Sequence, residues 1–408
     1  MKKLLSLFAA ALLLPVVANA EVLKNVNIKG DIQTIASDVR HDLPAPATIY
    51  NRGTSARVLA GLSADLVEDV TANLMFQYSN VWGRSQAAGR AVEDYWNNVT
   101  LVEANVVLHN LFCCLEATVG RQFYGDEDSA VMYFGPNHYN AEFNGYTRSL
   151  DAAKVTYADD VKALTLIAGR TNATIAAPAA VPGFVTGADA AVFGADFKVN
   201  LTDNAKFQIY GYDAQDFFVY KGVMQRDAGF YGAKIALDTA VRLSAEYARN
   251  FGGDKLVKEH KNTGHMVKVD VATDVEAVTV RGAFYYANEN FFALGNYTPG
   301  LLVGHRLGGD IYNYSVNGVT LFNVGFDVKP AEKWTVALDG FTFQDHRMKH
   351  SATLEADLTV KYAHNEYVEL FAGAGYAKYT SAADVPGFNK NVIASDNVKG
   401  QLGMSIKF

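Results

Sequence analysis

From about Val26 to Phe408 the chain repeats one pattern, in which segments of roughly ten to fourteen residues alternate apolar and polar side chains between clusters of turn residues. Successive side chains of a strand point to opposite faces, so each segment carries one apolar and one polar surface. The last eight residues show it clearly: Leu402, Met404, Ile406 and Phe408 share one face, and Gln401, Gly403, Ser405 and Lys407 share the other. Such a strand suits a wall between lipid and water. In hydrocarbon an open sheet edge would leave backbone groups unpaired, so a sheet of this kind must close on itself. The expected fold is all-β: a transmembrane antiparallel β-barrel of about 18 strands.

The connections sharpen this expectation. Short ones, such as Thr202-Asp203-Asn204, Thr273-Asp274 and Pro330-Ala331-Glu332, alternate with long ones, such as Asp126 to Asn144, Ala173 to Ala190, Gln215 to Ala228 and Asn290 to Tyr314. Outer-membrane barrels place short turns in the periplasm and long loops outside, with both chain termini on the periplasmic side. The other long connections are read as Asp42 to Thr54, Arg84 to Asp94, Gly252 to Lys261 and Ser381 to Asn397. Only the stretch around His346 to His350 is short for its place.

The first twenty residues agree. Lys2 and Lys3 precede an apolar run from Leu4 to Val17, and Ala18-Asn19-Ala20 offers a cleavage site before Glu21, so residues 1–20 read as a secretory signal peptide and 21–408 as the barrel. No later stretch has the uninterrupted apolar length of a spanning helix. Losing Lys2 and Lys3 with the leader takes the formal charge from −7 to −9. That acidity, without a basic block, gives no reason to expect a nucleic-acid partner. The 22 tyrosines and 24 phenylalanines suit a strand-rich wall with aromatic girdles.

Strand parity then assigns faces. Around Val275 to Ala287, Val278, Val280, Gly282, Phe284 and Tyr286 turn to lipid, leaving Thr279, Arg281 and Tyr285 inward. The same reading turns Arg57, Glu103, Asn105, Glu116, Lys154, Lys198, Lys206, Lys234, Arg242, Glu246, Lys268, Asp270, Asp327, Asp339, Glu355, Asp357 and Lys361 into the lumen. A basic side chain facing hydrocarbon costs about 2–4 kcal/mol near the midplane, which makes parity a physical filter. The lumen is thus expected to be wet and mixed in charge, although any one of these residues could serve only as a cross-strand brace.

Two stretches carry a family likeness. Glu116-Ala117-Thr118-Val119-Gly120-Arg121-Gln122-Phe123-Tyr124-Gly125-Asp126 is followed, after a loop, by Arg148-Ser149-Leu150-Asp151-Ala152-Ala153-Lys154. The order Gly-Arg-Gln, loop, Arg-Ser-x-Asp resembles the alginate-export-type outer-membrane porins, which implies a monomeric eighteen-stranded barrel. Leu150 stands where that family usually has an aromatic residue, and Ala152 where it often has glycine. Parity from Ala117 and Val119 aims Arg121 outward, unless a bend at Gly120 or Gly125 reverses the register. Its expected tie is to Asp151 or to loop backbone. Arg148 and Lys154 share inward parity.

The expected function is diffusion of small hydrophilic, charged solutes through the lumen of a bacterial outer-membrane channel. Arg57, Glu103, Glu116, Arg121, Arg148, Asp151, Lys154, Lys234, Arg242 and Arg281 are the candidates to line the pore and set its selectivity. The segment Asp126 to Asn144, with Tyr133, Phe134, Pro136, Tyr139 and Phe143, is expected to fold into the barrel as a constriction, since so many exposed aromatics would be a liability. Other expected partners are outer-membrane lipid and the barrel-assembly machinery, which would read the C-terminal strand. No catalytic residue, cofactor or metal centre is expected. Cys113 and Cys114 read as small apolar side chains, and His346, His350, Asp310 and the acids Asp126, Glu127 and Asp128 carry no ligand set. The competing readings are a surface-interaction barrel whose loops bind a partner, and an outer-membrane hydrolase.

Overall fold

The computed structural model describes residues 23–408 except 43–47, 83–98, 113, 128, 137–146, 172–190, 221–222, 252–263, 289–290, 292, 296, 298, 303–317, 346–347, 349–352 and 379–395. The leader 1–20, His346, His350, Asp310, Cys113, Asp128, Tyr139 and Phe143 lie outside the described residues.

Eighteen antiparallel strands form one closed sheet. In chain order they are β1 (Lys24–Asp42), β2 (Thr48–Val67), β3 (Val70–Trp82), β4 (Val99–Leu111) and β5 (Leu115–Gln122). After the two-residue strands β6 (Tyr124–Gly125) and β7 (Tyr133–Phe134) come β8 (Leu150–Ala158), β9 (Lys162–Thr171), β10 (Ala191–Thr202) and β11 (Ala205–Tyr220). The wall continues through β12 (Val223–Asp238), β13 (Val241–Phe251), β14 (His265–Val275), β15 (Val278–Ala287) and β16 (Val319–Ala331). It ends with β17 (Trp334–Asp345), β18 (Thr353–Ala363), β19 (Val368–Lys378) and β20 (Asp396–Lys407). Each wall strand pairs with its neighbours in sequence, and β20 closes on β1 from Asp31↔Lys407 to His41↔Asn397. At the seam the backbones of Gly30 and Phe408 exchange both hydrogen bonds, at 2.7 and 3.1 Å. β6 and β7 form a separate small ribbon.

Burial alternates as the sequence predicts. Along β16, Leu321 and Asn323 are buried while Phe322, Val324 and Phe326 are exposed. Along β20, Lys399, Gln401 and Ser405 are buried and Val398 and Leu402 exposed. Apolar side chains thus cover the outer surface, while the inner face mixes polar side chains with apolar ones. The turns at one end are tight, and Asp69, Glu276 and Phe112 take positive φ there, the conformation a short hairpin connection requires.

Two boundaries differ. The stretch Asp42 to Thr54 was expected to be a long loop, but β2 begins at Thr48 and pairs with β1 from Asp42↔Thr48 to Ala36↔Thr54. The stretch 215–228 was expected to be a long loop, but β11 and β12 continue through it, paired from Ala214↔Ala228 to Tyr220↔Val223. Phe217, Phe218, Val219, Tyr220, Val223 and Met224 are strand formers, and their pairing outweighs the local polarity that suggested a loop.

The apolar core lies inside the barrel. Ala130, Val131, Met132 and Phe134 from one connection and Phe291, Ala293, Leu294, Tyr297 and Leu302 from another pack on Leu150, Val192, Phe230, Met266, Tyr285 and Leu321 of the wall. Fully burying a side chain such as Phe291 or Leu294 is worth about 1.5–3 kcal/mol, enough to draw these connections off the surface.

Candidate functional site

Two connections enter the lumen from the end opposite the tight turns. The first runs from Gln122 to Leu150. At Gly125 the backbone takes φ +87°, and a side chain there would strike the Met132 carbonyl, so glycine permits the fold-back that pairs β6 with β7. Its described residues Ala130 to Phe134 are buried, as expected of a constriction segment. The second, from Ala287 to Val319, was expected to lie outside. Its residues Phe291, Leu294 and Leu302 are instead fully or almost fully buried. The two meet side by side: Tyr133 N–H donates to the Leu294 carbonyl at 2.9 Å, and Leu294 N–H to the Val131 carbonyl at 2.7 Å. A parallel bridge, Met132↔Leu294, results.

This bar is tied to the wall by charge. Glu355 accepts the Leu302 N–H at 2.7 Å, Asp357 accepts the Leu301 N–H at 2.8 Å, and the Lys399 ammonium donates to the Leu301 carbonyl at 3.2 Å. Arg148 donates to the Gly295 carbonyl at 3.3 Å and lies 5.6 Å from the Phe134 ring centre. Arg57, fully buried, pairs with Asp31 at 3.0 Å. Lys268 sits 4.5 Å over the Tyr297 ring and 3.4 Å from Asp270. Charged side chains read as pore lining are here used to position the bar.

Several other candidates are braced. Arg281 bridges Asp327 at 2.7 Å and Asp339 at 3.0 Å. Arg242 holds the Asp274 carboxylate at 2.7 and 3.0 Å close to the tight turns. Glu103 meets Lys29 at 3.2 Å, and Glu116 meets His109 at 3.2 Å.

Arg121 and Asp151 are corrected. No register shift occurs across Gly120, so both stay on the outer face and do not line the pore. The guanidinium grips Asp151 through Nε and Nη2 at 2.7 and 2.8 Å, and its Nη1 donates to the Leu101 carbonyl at 2.9 Å. Pairing offsets the cost that parity assigned to this position.

What remains is an arc of amines. Lys154, Lys198, Lys206 and Lys234 face inward from β8, β10, β11 and β12, and make no hydrogen bond or ion pair with any described residue. Lys198 and Lys234 flank Gln208 in one register row, about 10 Å apart across two strand spacings. With Asp196, Glu246, Tyr124, Tyr210 and Tyr212 they line a cavity of about 270 Å³ between the first connection and the wall.

Two of the three acids that line this cavity are already engaged, and Asp126 lines it as well. Asp196 accepts from the Gln208 amide and, at 3.4 Å, from the Tyr212 hydroxyl, while Glu246 accepts the Tyr210 hydroxyl at 2.6 Å. Tyr124 and Tyr212 share a 3.0 Å hydrogen bond, and burial pushes the Tyr124 phenol up to about 12, so it stays neutral in use. The cavity therefore offers two ammonium groups, the Asp126 carboxylate and an aromatic wall to an incoming solute. Among the described residues no three His, Cys, Asp or Glu side chains gather as a metal centre would need. Parity identified Lys198 and Lys234 as inward. It held no signal that they, rather than Arg281 or Arg242, would be left without a wall partner.

No family model matches the chain, and no curated protein matches it. Solved structures do. The outer membrane protein OpdK of Pseudomonas aeruginosa superposes with a TM-score of 0.63 at 10% identity, over 94% of this chain and 98% of that one. OccAB1 of Acinetobacter baumannii gives 0.61 at 13% identity, over 93% and 97%. OpdK crystallised with vanillate gives 0.60 at 11%, over 94% and 98%. At such identities the likeness is one of fold.

Proposed function

We propose that the chain is a bacterial outer-membrane channel for small, anionic hydrophilic solutes, which pass by diffusion beside the internal bar. The unpartnered arc of Lys154, Lys198, Lys206 and Lys234, in a lumen whose other cations are mostly tied to acids or carbonyls, carries this reading. A focused positive field raises the local concentration of anions and lowers their entry barrier. OpdK, a structural neighbour, was crystallised with vanillate, a small aromatic carboxylate. A cavity with two lysines and three tyrosines suits a ligand of that kind.

In this reading the tight turns face the periplasm and the long connections the exterior. Residues 1–20 are removed on export, and the mature barrel works as a monomer without a catalytic step or cofactor. The assembly machinery reads the strand ending at Phe408. The Gly120-Arg121-Gln122 and Arg148 to Asp151 motifs support the alginate-export-type porins as the finer family. Single-channel recording in a salt gradient tests the function. Anion-selective steps, with block by a small carboxylate, are expected. An intact barrel without conductance would favour a surface-interaction protein, and hydrolysis of lipid or peptide by the purified protein would favour an enzyme.

A further inference from the structure

The cavity between the first connection and the wall has two poles of opposite charge. Lys198 and Lys234 stand in the register row through Gln208, whereas Asp196 and Tyr210 pair in the row two residues along, about 7 Å away on the same inner face. This second row lies toward the long connections, since β10 runs from Ala191 down to the tight turn after Thr202. The first connection brings Asp126 into the same cavity. Its side chain is exposed, makes no hydrogen bond or ion pair with any described residue, and stands near enough to act on Asp196 and on the Tyr124 hydroxyl.

The acid pole has aromatic sides. Tyr124 and Tyr212 meet edge to face with 6.1 Å between ring centres, and Tyr210 stacks on Tyr212 at 5.7 Å. Rings beside carboxylates attract an ammonium group through both the ring quadrupole and the full charges. The carboxylates of Asp126, Asp196 and Glu246 outnumber the two lysines, so a bare anion drawn to Lys198 and Lys234 is opposed by the other pole. An ammonium group on the same solute turns that opposition into attraction.

We propose that this cavity selects carboxylates that also carry an ammonium group a few carbons away, with the carboxylate on Lys198 and Lys234 and the ammonium between Asp126, Asp196 and the Tyr124 ring. The assignment rests on the proposed function, since it names which of the carboxylates entering the channel the site holds. Asp126 is then the residue that determines specificity. The lysines accept any carboxylate, and the Asp196 Oδ2 already receives both the Gln208 amide and the Tyr212 hydroxyl. Asp126 is the carboxylate of the cavity that is left to take a new donor. Its position could not be read from strand parity, because it sits on a connection and not on the wall.

Ligand-observed NMR on the full barrel in detergent tests the site without requiring conductance. The probes are 4-aminobutyrate, butyrate and butylamine, which separate the two charges. The parent should bind 4-aminobutyrate roughly tenfold more tightly than either of the others, the worth of one added charge-assisted contact. Asp126→Asn should bring 4-aminobutyrate down to the affinity of butyrate, and Asp126→Glu, which keeps the charge, should keep the preference. The Asp126 side chain holds no described residue, so both variants should fold, and the compact electrophoretic form checks that they do. Lys198→Gln with Lys234→Gln should weaken 4-aminobutyrate and butyrate alike. Equal affinity for these two probes in the parent would overturn the assignment, as would a preference that survives Asp126→Asn. Anion-selective conductance without the preference would refute the amino-carboxylate site and leave the proposed function standing. A barrel that shows the preference but passes no current would refute the channel and keep the site.

Discussion

Replacing Lys198 and Lys234 together by glutamine should move the channel toward cations without disturbing the barrel. Neither amine makes a hydrogen bond or ion pair with a described residue, so their removal breaks none, although Lys198 stands near enough to act on the buried Asp196 carboxylate. A unit charge about 8 Å from a passing ion contributes about 0.5 kcal/mol even at the dielectric of water. Both lysines face the cavity that flanks the bar, so together they contribute about 1 kcal/mol, or roughly a fivefold enrichment of anions. Lower dielectric near the protein raises this figure. Planar-bilayer reversal potentials should be read near 0.01 M salt, where the Debye length is about 30 Å, and again near 1 M, where it is about 3 Å. The anion-to-cation permeability ratio should fall roughly twenty-five-fold at low salt, since anions lose a fivefold enrichment and cations a fivefold exclusion, and change little at high salt. Lys198→Arg with Lys234→Arg keeps the charge and should leave the ratio near the parent's. A double glutamine variant with the parent's reversal potential at low salt would refute the argument, because no accessible lysine field would then act on the ion path.

Glu355→Gln with Asp357→Asn should loosen the second connection, since both carboxylates hold its backbone N–H groups, and larger, noisier conductance steps are expected from the same bilayer recordings. Gly120→Val should cost roughly 1–3 kcal/mol of stability, read as a lower temperature for loss of the compact electrophoretic form, because φ is +122° and the new side chain would meet the Ala104 carbonyl and lie 2.9 Å from the Asn105 Cα. The Tyr157 hydroxyl and the N–H groups of Lys162 and Val161 hold the Asp159 carboxyl, in the turn between β8 and β9, below its ordinary value. Its contribution is therefore present at neutral pH and fades as pH falls through that lowered value, so the protection of amides in this turn, relative to their intrinsic exchange rate, should fall in acid in the parent but not in Asp159→Asn. Cysteines placed at Asp203 or Glu332 should resist a membrane-impermeant reagent in intact cells, and labelling there would invert the orientation.

The closed barrel and most of its strand faces were legible in the sequence, because a wall between two solvents imposes a period of two that no other fold repeats eighteen times. Arg121 shows how far parity reaches: it aimed this side chain outward, and the register without a bulge kept it there, although the resemblance had made it a pore candidate. Arg281 shows where parity stops. Its inward direction was readable, but its capture by Asp327 and Asp339 depends on which strands stand one and two places away at the same height. The same holds for Phe291 to Leu302, whose apolar side chains gave no clue that a second connection would dive inside, where Glu355, Asp357 and Lys399 wait for its backbone. Direction is a local property of the chain, fixed by alternation. Partnership is not, because the shear of a closed sheet brings together residues hundreds of positions apart, and only that assembly decides which charges are spent on the wall and which are left to meet a solute.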